Sequence, residues 1–201
     1  MTRRFRSFLP QLSLLTVCAT LAPGVLAAQG ADAGSRIKIG ATSLVGIVHV
    51  GVERPLRRDG RTFQWDVMVS PWRSVEDYPF TFAVGAAEWR FYREARAEGW
   101  YAALNAGAAV FRIQRPDYRD TTLYQEGASL LVGGSVGRVW QLRGGWTLDA
   151  FVGGGSVQSL YKGYDRATGR RYDGAKLWNV SGELFPYRSG ILVGLPWRRT
   201  R

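Results

Sequence analysis

The chain has 201 residues, which is enough for one domain and too few for two ordinary ones. Its mean hydropathy of −0.15 excludes a bundle of membrane-spanning helices but allows a β-barrel in which lipid-facing and lumen-facing residues alternate. The formal charge of +11 is explained first by an ordinary solvated loop surface and next by a surface that contacts anionic lipid or lipopolysaccharide phosphates. Nucleic acid is the least favoured partner, because the arginines fall mainly in predicted turns.

The start of the chain has the composition of a cleavable export signal. A basic segment is followed by an apolar stretch that prolines interrupt, and small residues precede a predicted cleavage after Ala27 or Ala28. We therefore predict a signal peptide at residues 1–28 and one β-barrel domain at residues 29–201. The single cysteine, Cys18, lies inside this signal, so the mature domain would have no thiol.

Beyond residue 30 the sequence alternates between apolar and polar residues with the period of a β-strand. Several of the alternating segments exceed the roughly 9–11 residues that a tilted strand needs to cross a bilayer. The connection before the last segment could hold an extra short strand at Leu177–Leu184. The eight predicted strands are Ser35–Ser43, Ile47–Leu56, Arg61–Trp72, Phe80–Arg93, Gly99–Ile113, Gln125–Leu142, Trp146–Tyr164 and Tyr187–Trp197.

The lengths of the predicted connections alternate. Those after the second, fourth and sixth strands are short, and those after the third, fifth and seventh are longer and polar. Bacterial outer-membrane barrels have short periplasmic turns and longer outer loops, with both termini in the periplasm. Only the connection at residues 44–46 is shorter than this pattern predicts. We therefore predict an all-β, antiparallel up-and-down transmembrane β-barrel of about eight strands.

The two faces of the predicted strands differ in polarity. In the third strand, Phe63, Trp65 and Val67 share one face, and Gln64 and Asp66 share the other. A soluble barrel would bury the apolar face, whereas an outer-membrane barrel turns it toward lipid. Tryptophans near the predicted strand ends and glycines on the polar face favour the outer-membrane arrangement, because they suit an interfacial girdle and a narrow lumen.

Four short motifs carry a resemblance to a known kind of chain. They are Ser70-Pro71-Trp72, Ala87-Glu88-Trp89-Arg90-Phe91-Tyr92, Gly99-Trp100-Tyr101 and Phe185-Pro186-Tyr187-Arg188-Ser189-Gly190-Ile191. Together they resemble a family of uncharacterised small bacterial outer-membrane β-barrels classed only as a domain of unknown function. The chain is more loosely similar to eight-stranded barrels of the OmpA and OmpX type. This resemblance covers nearly the whole mature chain and implies the fold and the outer-membrane location, without an activity.

Charged and polar side chains fall on the predicted inner face of several strands. Their carboxylates could be interpreted as pairs for acid–base catalysis. A stronger interpretation is charge neutralisation, because a narrow lumen must pair the charges that it buries. We predict a lumen polar network of Lys38, His49, Glu53, Asp66, Glu88, Arg90, Asn105 and Asp149.

His49 is the only histidine and therefore the natural candidate for a catalytic base. Some eight-stranded barrels are lipid A deacylases that use serine, histidine and glutamate. In this sequence Gly51 stands two residues beyond the histidine, where those barrels carry serine. One histidine also makes a metal site unfavourable. We expect no catalytic residue, no cofactor and no metal.

The connection before the last predicted strand is basic and aromatic. We predict contacts with anionic lipid for Lys162, Arg166, Arg170 and Arg171, although an ordinary solvated loop has the same composition.

These observations together predict a structural or interaction-type protein of the outer membrane that is not an enzyme and forms no open pore. Its expected partners are outer-membrane lipid, lipopolysaccharide and the barrel assembly machinery, with no nucleic acid; its oligomeric state is left open. The alternatives are a membrane-embedded lipid A-modifying enzyme and a soluble periplasmic barrel that binds a ligand.

Overall fold

A computed structural model describes residues 35–72, 78–118, 120–172 and 177–197. The predicted signal peptide at residues 1–28 lies outside these ranges. The described residues contain eight β-strands and three short 3-10 helices, and no helix among them is long and apolar enough to cross a membrane. The strands are β1 Ser35–Gly40, β2 Val48–Pro55, β3 Arg61–Ser70, β4 Phe80–Tyr92, β5 Gly99–Ile113, β6 Leu123–Gln141, β7 Thr147–Asp165 and β8 Asn179–Trp197.

The eight strands form a closed barrel. Each strand pairs antiparallel with the next one along the chain, and β1 pairs antiparallel with β8. The predicted all-β, up-and-down barrel of eight antiparallel strands is therefore confirmed. The connections at residues 56–60, 93–98 and 142–146 lie at one end of the barrel, which we call the turn end. The opposite end, with the longer connections, is called the loop end.

The predicted end of the first strand is wrong. β1 stops at Gly40, because Ala41–Val45 form a 3-10 helix that ends at Gly46 in the left-handed conformation (φ 80°). A left-handed residue is favourable for glycine, which has no Cβ to collide with its own backbone. The connection between β1 and β2 is consequently longer than predicted and belongs with the others at the loop end.

The predicted break between a short strand at Leu177–Leu184 and the last strand is also wrong. β8 is one strand of 19 residues. Pro186 lacks the N–H that a regular ladder requires, and the strand accommodates it in a β-bulge. At this bulge Pro186 and Tyr187 lie opposite the single residue Gly154 of β7.

The barrel wall is uneven in height. β1 has 6 residues, whereas β6, β7 and β8 have 19 each. β1 pairs only with Leu192–Trp197 of β8, so residues 180–191 of β8 have no strand pairing on that side within the described part of the chain. A bulge and a proline on such an edge hinder the addition of a foreign strand.

Polar and apolar residues also lie on opposite faces of the strands, as the sequence indicates. On β3, Gln64 and Asp66 are buried inside the barrel while Trp65 is exposed outside it. Most of the predicted girdle tryptophans lie close to a barrel end. Trp65 is the exception, because it lies in the middle of β3.

We expect Gly137→Val to destabilise the barrel by about 1–3 kcal/mol, the usual cost of overpacking. Gly137 pairs with Tyr101 across β5 and β6, and a Cβ at this glycine would lie 2.5 Å from the tyrosine ring. Thermal unfolding of the purified protein measures the loss. The matched control is Gly85→Val, because a Cβ at Gly85 would meet nothing within 4 Å. Equal unfolding temperatures for the two variants would contradict this packing.

Candidate functional site

The charged residues of the inner face meet in one cluster in the turn-end half of the lumen. All eight residues predicted from the sequence are buried there, and Lys38, Glu88, Arg90 and Asp149 are fully buried. The strand period explains the placement, because alternate residues of each strand point into the barrel. We use the name lumen network for Lys38, His49, Glu53, Asp66, Glu88, Arg90, Asn105, Asp149 and Arg188.

Asp149 joins opposite sides of the lumen. Its Oδ2 lies 2.6 Å from Lys38 Nζ of β1 and 2.6 Å from Arg90 Nη1 of β4. Lys38 Nζ also lies 2.7 Å from Glu53 Oε2 of β2. The side chains of four strands are thus held together by charge pairs whose members are shielded from water.

Arg188 connects the remaining two carboxylates. Its guanidinium donates to both oxygens of Asp66, with distances of 3.1 and 2.7 Å, and its Nε donates to Glu88 Oε1 at 3.1 Å. Glu88 also accepts a hydrogen bond of 2.6 Å from Arg90 Nε. Such two-pronged contacts with arginine are among the stronger ion pairs in proteins, because both hydrogen bonds are charge-assisted.

Neutral side chains complete the cluster. The hydroxyl of Tyr92 donates to Glu53 at 2.7 Å, and that of Tyr101 donates to Asp149 at 3.0 Å. Tyr187 reaches across from β8 and donates to Oδ1 of Asn105 on β5. Within the described part of the chain, the Asn105 side chain is hydrogen-bonded to Tyr187 and to none of the charged members.

His49 contacts a carboxylate through its ring and a serine through its backbone. Its Nε2 lies 3.3 Å from Asp66 Oδ1, and its backbone N–H donates to Ser43 Oγ at 3.1 Å. Among the described residues, Asp66 is the only side chain hydrogen-bonded to the imidazole ring.

Sequence reasoning missed several members of the cluster. Arg188 was not selected, although Ile191 and Val193 mark the opposite face of β8 as apolar and so place Arg188 inside. Tyr92 and Tyr101 were missed because an aromatic residue at a strand end resembles an interfacial anchor. Strand alternation from Arg90 and from Asn105 could have placed both rings inside the barrel, where their centroids lie 5.1 Å apart.

The acidic and basic side chains of the cluster neutralise one another. Each of its four carboxylates has a basic partner within 2.7 Å. In the described part of the chain no group of three or more His, Cys, Asp or Glu residues is arranged to hold a metal ion. The cluster therefore links strands across the turn-end half of the lumen, and each of its carboxylates is paired with a basic side chain.

The four predicted lipid contacts lie elsewhere, at the loop end. Lys162 Nζ stacks 4.3 Å from the centre of the Trp178 ring, and Arg166 and Arg170 are exposed beyond β7. Arg171 is held opposite Tyr164 by an isolated β-bridge. The structure thus separates these four residues from the lumen network by most of the length of β7.

Tyrosines support the loop that carries these arginines. The Tyr172 ring packs edge-on to Tyr118, with centroids 6.0 Å apart. Burial raises the pKa of the Tyr172 hydroxyl to about 12, so the hydroxyl stays protonated at neutral pH. It donates to the Tyr118 hydroxyl at 3.4 Å.

Comparison with known proteins gives one match. The family described as "Protein of unknown function (DUF3575)" matches residues 16–182, which include β1 to β7 and the beginning of β8. No curated protein and no solved structure matches the chain.

We expect Asp149→Asn to destabilise the barrel by about 3–5 kcal/mol, because it removes one partner from a buried charge pair and leaves Lys38 and Arg90 short of negative charge. Denaturant unfolding measures the change. Asp117→Asn serves as the control, because that side chain is exposed at the loop end and should change stability little. A similar unfolding midpoint for both variants would contradict a stabilising role of the cluster.

Proposed function

The chain belongs to DUF3575, a family of proteins of unknown function, and we propose that it is an outer-membrane β-barrel protein with a structural or interaction role. The observation that carries this proposal is the reversed polarity of the barrel. Arg90 and Asp149 are fully buried inside, while Leu104 and Leu130 are each 65% exposed outside. A protein surrounded by water would bury the leucines and expose the charged side chains.

The height of the apolar outer surface supports the same proposal. On β6 the outward charges Glu126 and Arg138 enclose a run of apolar positions that includes Leu130, Val132 and Val136. Their separation corresponds to about 40 Å along a strand, at about 3.4 Å per residue. With a tilt of about 45° this gives a band of roughly 30 Å, close to that of outer-membrane barrels and of a bilayer core.

The turn end carries the combination of aromatic and basic residues expected at a membrane interface. Arg138 lies over the rings of both Trp100 and Trp140, at 5.5 and 5.3 Å. Arg54 lies 5.9 Å over Trp197 in the same way. Such rings anchor a protein at the head-group level. Because short turns of bacterial barrels lie in the periplasm, we assign the turn end to that side and the loop end to the cell exterior.

The filled lumen supports a role without an open pore. The lumen network is anchored on both sides of the barrel, and its largest side chains are shielded from solvent. Opening a path would require unpairing several buried charges, which is costly in a region of low dielectric. Binding at the outer surface or at the loops, and not conduction, is therefore the role that this geometry favours.

We expect the protein to stay with the membranes when cells are extracted with alkaline carbonate or high salt, and to require detergent for release. The physical reason is the apolar outer surface, which would be costly to expose to water. Immunoblotting of the soluble and membrane fractions measures the outcome. A peripheral periplasmic protein serves as the released control. Release of the barrel by carbonate would instead favour the soluble ligand-binding alternative.

We expect His49→Gln to leave the acylation of lipid A unchanged, because the ring contacts Asp66 and no hydroxyl nucleophile in the described residues. Mass spectrometry of lipid A from cells that express the wild type, the variant or neither measures the outcome. Acyl loss that depends on the histidine would favour the lipid A-modifying enzyme and contradict the proposed role.

A further inference from the structure

The outside of the barrel carries an apolar groove of about 560 Å³. It crosses the wall diagonally toward the loop end, from Trp65 on β3 to Leu160 on β7. Its floor consists of the small residues Ala106, Ala108 and Ala128 on β5 and β6. The volume falls within the range of about 300–1,000 Å³ that is typical of ligand sites.

The groove results from a change in side-chain size along each strand. Toward the turn end the outer positions are bulky, with Trp89 on β4, Leu104 on β5 and Val136 on β6. Toward the loop end the same faces carry alanine, as at Ala106 and Ala108. The bulky residues therefore bound the groove on its turn-end side. No charged side chain lines it.

Basic residues border the groove on its loop-end side, which we call the basic end. Lys162 is the next outward residue after Leu160 on β7, and Arg112 is the next after Val110 on β5. Both are held in place, Lys162 by Trp178 at 4.3 Å and Arg112 by the Tyr124 ring at 4.7 Å.

One acidic side chain lies between these two cations. Glu126 on β6 is the strand partner of both Arg112 and Lys162. The connection beyond β7 adds the exposed Arg166 and Arg170, and Asp165 directly precedes them. The four basic residues therefore outnumber the two carboxylates, Glu126 and Asp165. A negatively charged group at this end of the groove would therefore be attracted.

A polar side chain lies inside the groove near its basic end. Gln158 is exposed, and its amide Nε2 donates to Ser156 Oγ at 2.8 Å. It is two outward positions below Lys162 on the same strand. From the loop end, the groove thus presents a cation, then an amide, and then the alanine floor on the neighbouring strands. In a lipid, a phosphate, an ester or amide linkage and a hydrocarbon chain follow in the same order.

We propose that this groove holds one acyl chain of lipopolysaccharide, with a phosphate of the lipid facing Lys162 and Arg112 and the acyl linkage beside Gln158. The inference rests on the proposed function, because the orientation given there places the basic end in the outer leaflet. The lining is largely apolar and fits a hydrocarbon chain, and the basic end fits the phosphates. The lipid would bind to a preformed groove and displace no part of the barrel.

The test uses the mature chain refolded in detergent micelles and purified, bisphosphorylated lipid A as the probe. Native mass spectrometry across a lipid titration gives the fraction of protein that retains lipid. The double variant Ala108→Leu, Ala128→Leu fills the floor, and we expect it to weaken binding about tenfold. The matched control is Ala102→Leu, on the same face of β5 but outside the groove, which should bind as the wild type does.

The charge arm of the test uses Lys162→Gln and lipid A without phosphates. Each should weaken binding about fivefold, since one basic residue near an anionic lipid contributes a factor of about this size. Equal retention by the filled variant and the wild type would overturn the proposal. So would equal binding of dioleoylphosphatidylglycerol and lipid A, which would show general affinity for anionic lipid.

Failure of this inference is distinguishable from failure of the proposed function. The same variants are fractionated with alkaline carbonate. If the protein stays in the membrane but the groove variants bind lipid A as the wild type does, the lipid site alone would be overturned. Wild-type protein released by carbonate would overturn the outer-membrane proposal, and the lipid site with it.

Discussion

The pairing of charges inside a narrow closed barrel is the constraint on which the rest of the structure depends. Asp149 of β7 contacts Lys38 of β1 and Arg90 of β4, and Arg188 of β8 contacts two further carboxylates. A shift of one strand by one residue would turn its charged side chain to the outside and leave a partner buried alone. The cluster therefore fixes the register of the strands as well as filling the lumen.

The outer surface is the complement of this polar interior. Because polar residues alternate with apolar ones, most side chains that turn inward to join the network have apolar neighbours that face outward. Trp100 and Leu104 on β5 illustrate this, since they flank the inward positions of a strand that also supplies Asn105. The same alternation that allows a charged lumen thus creates an apolar exterior.

Because the lumen is filled, the accessible surfaces of the barrel are its two ends and its outer wall. The turn end is a ring of tryptophans stacked with arginines, and the loop end has basic residues beside tyrosines. Between them the wall is tall at β6 to β8 and low at β1, and the unpaired stretch of β8 carries the Pro186 bulge. The groove lies on the taller side, where long strands with small outer residues leave room for a ligand.

The sequence by itself determined the number of strands, their antiparallel order and the face on which most residues lie, because side-chain alternation and turn composition are local properties. Gly99–Ile113 was predicted to the residue, and all eight predicted lumen residues are buried inside. The 3-10 helix after Gly40 and the bulge at Pro186 were not predictable from alternation, because both interrupt the regular strand pattern. Only the tertiary structure decided which charges meet and where the outer groove runs, since the stagger of eight strands brings together residues that are distant in the chain.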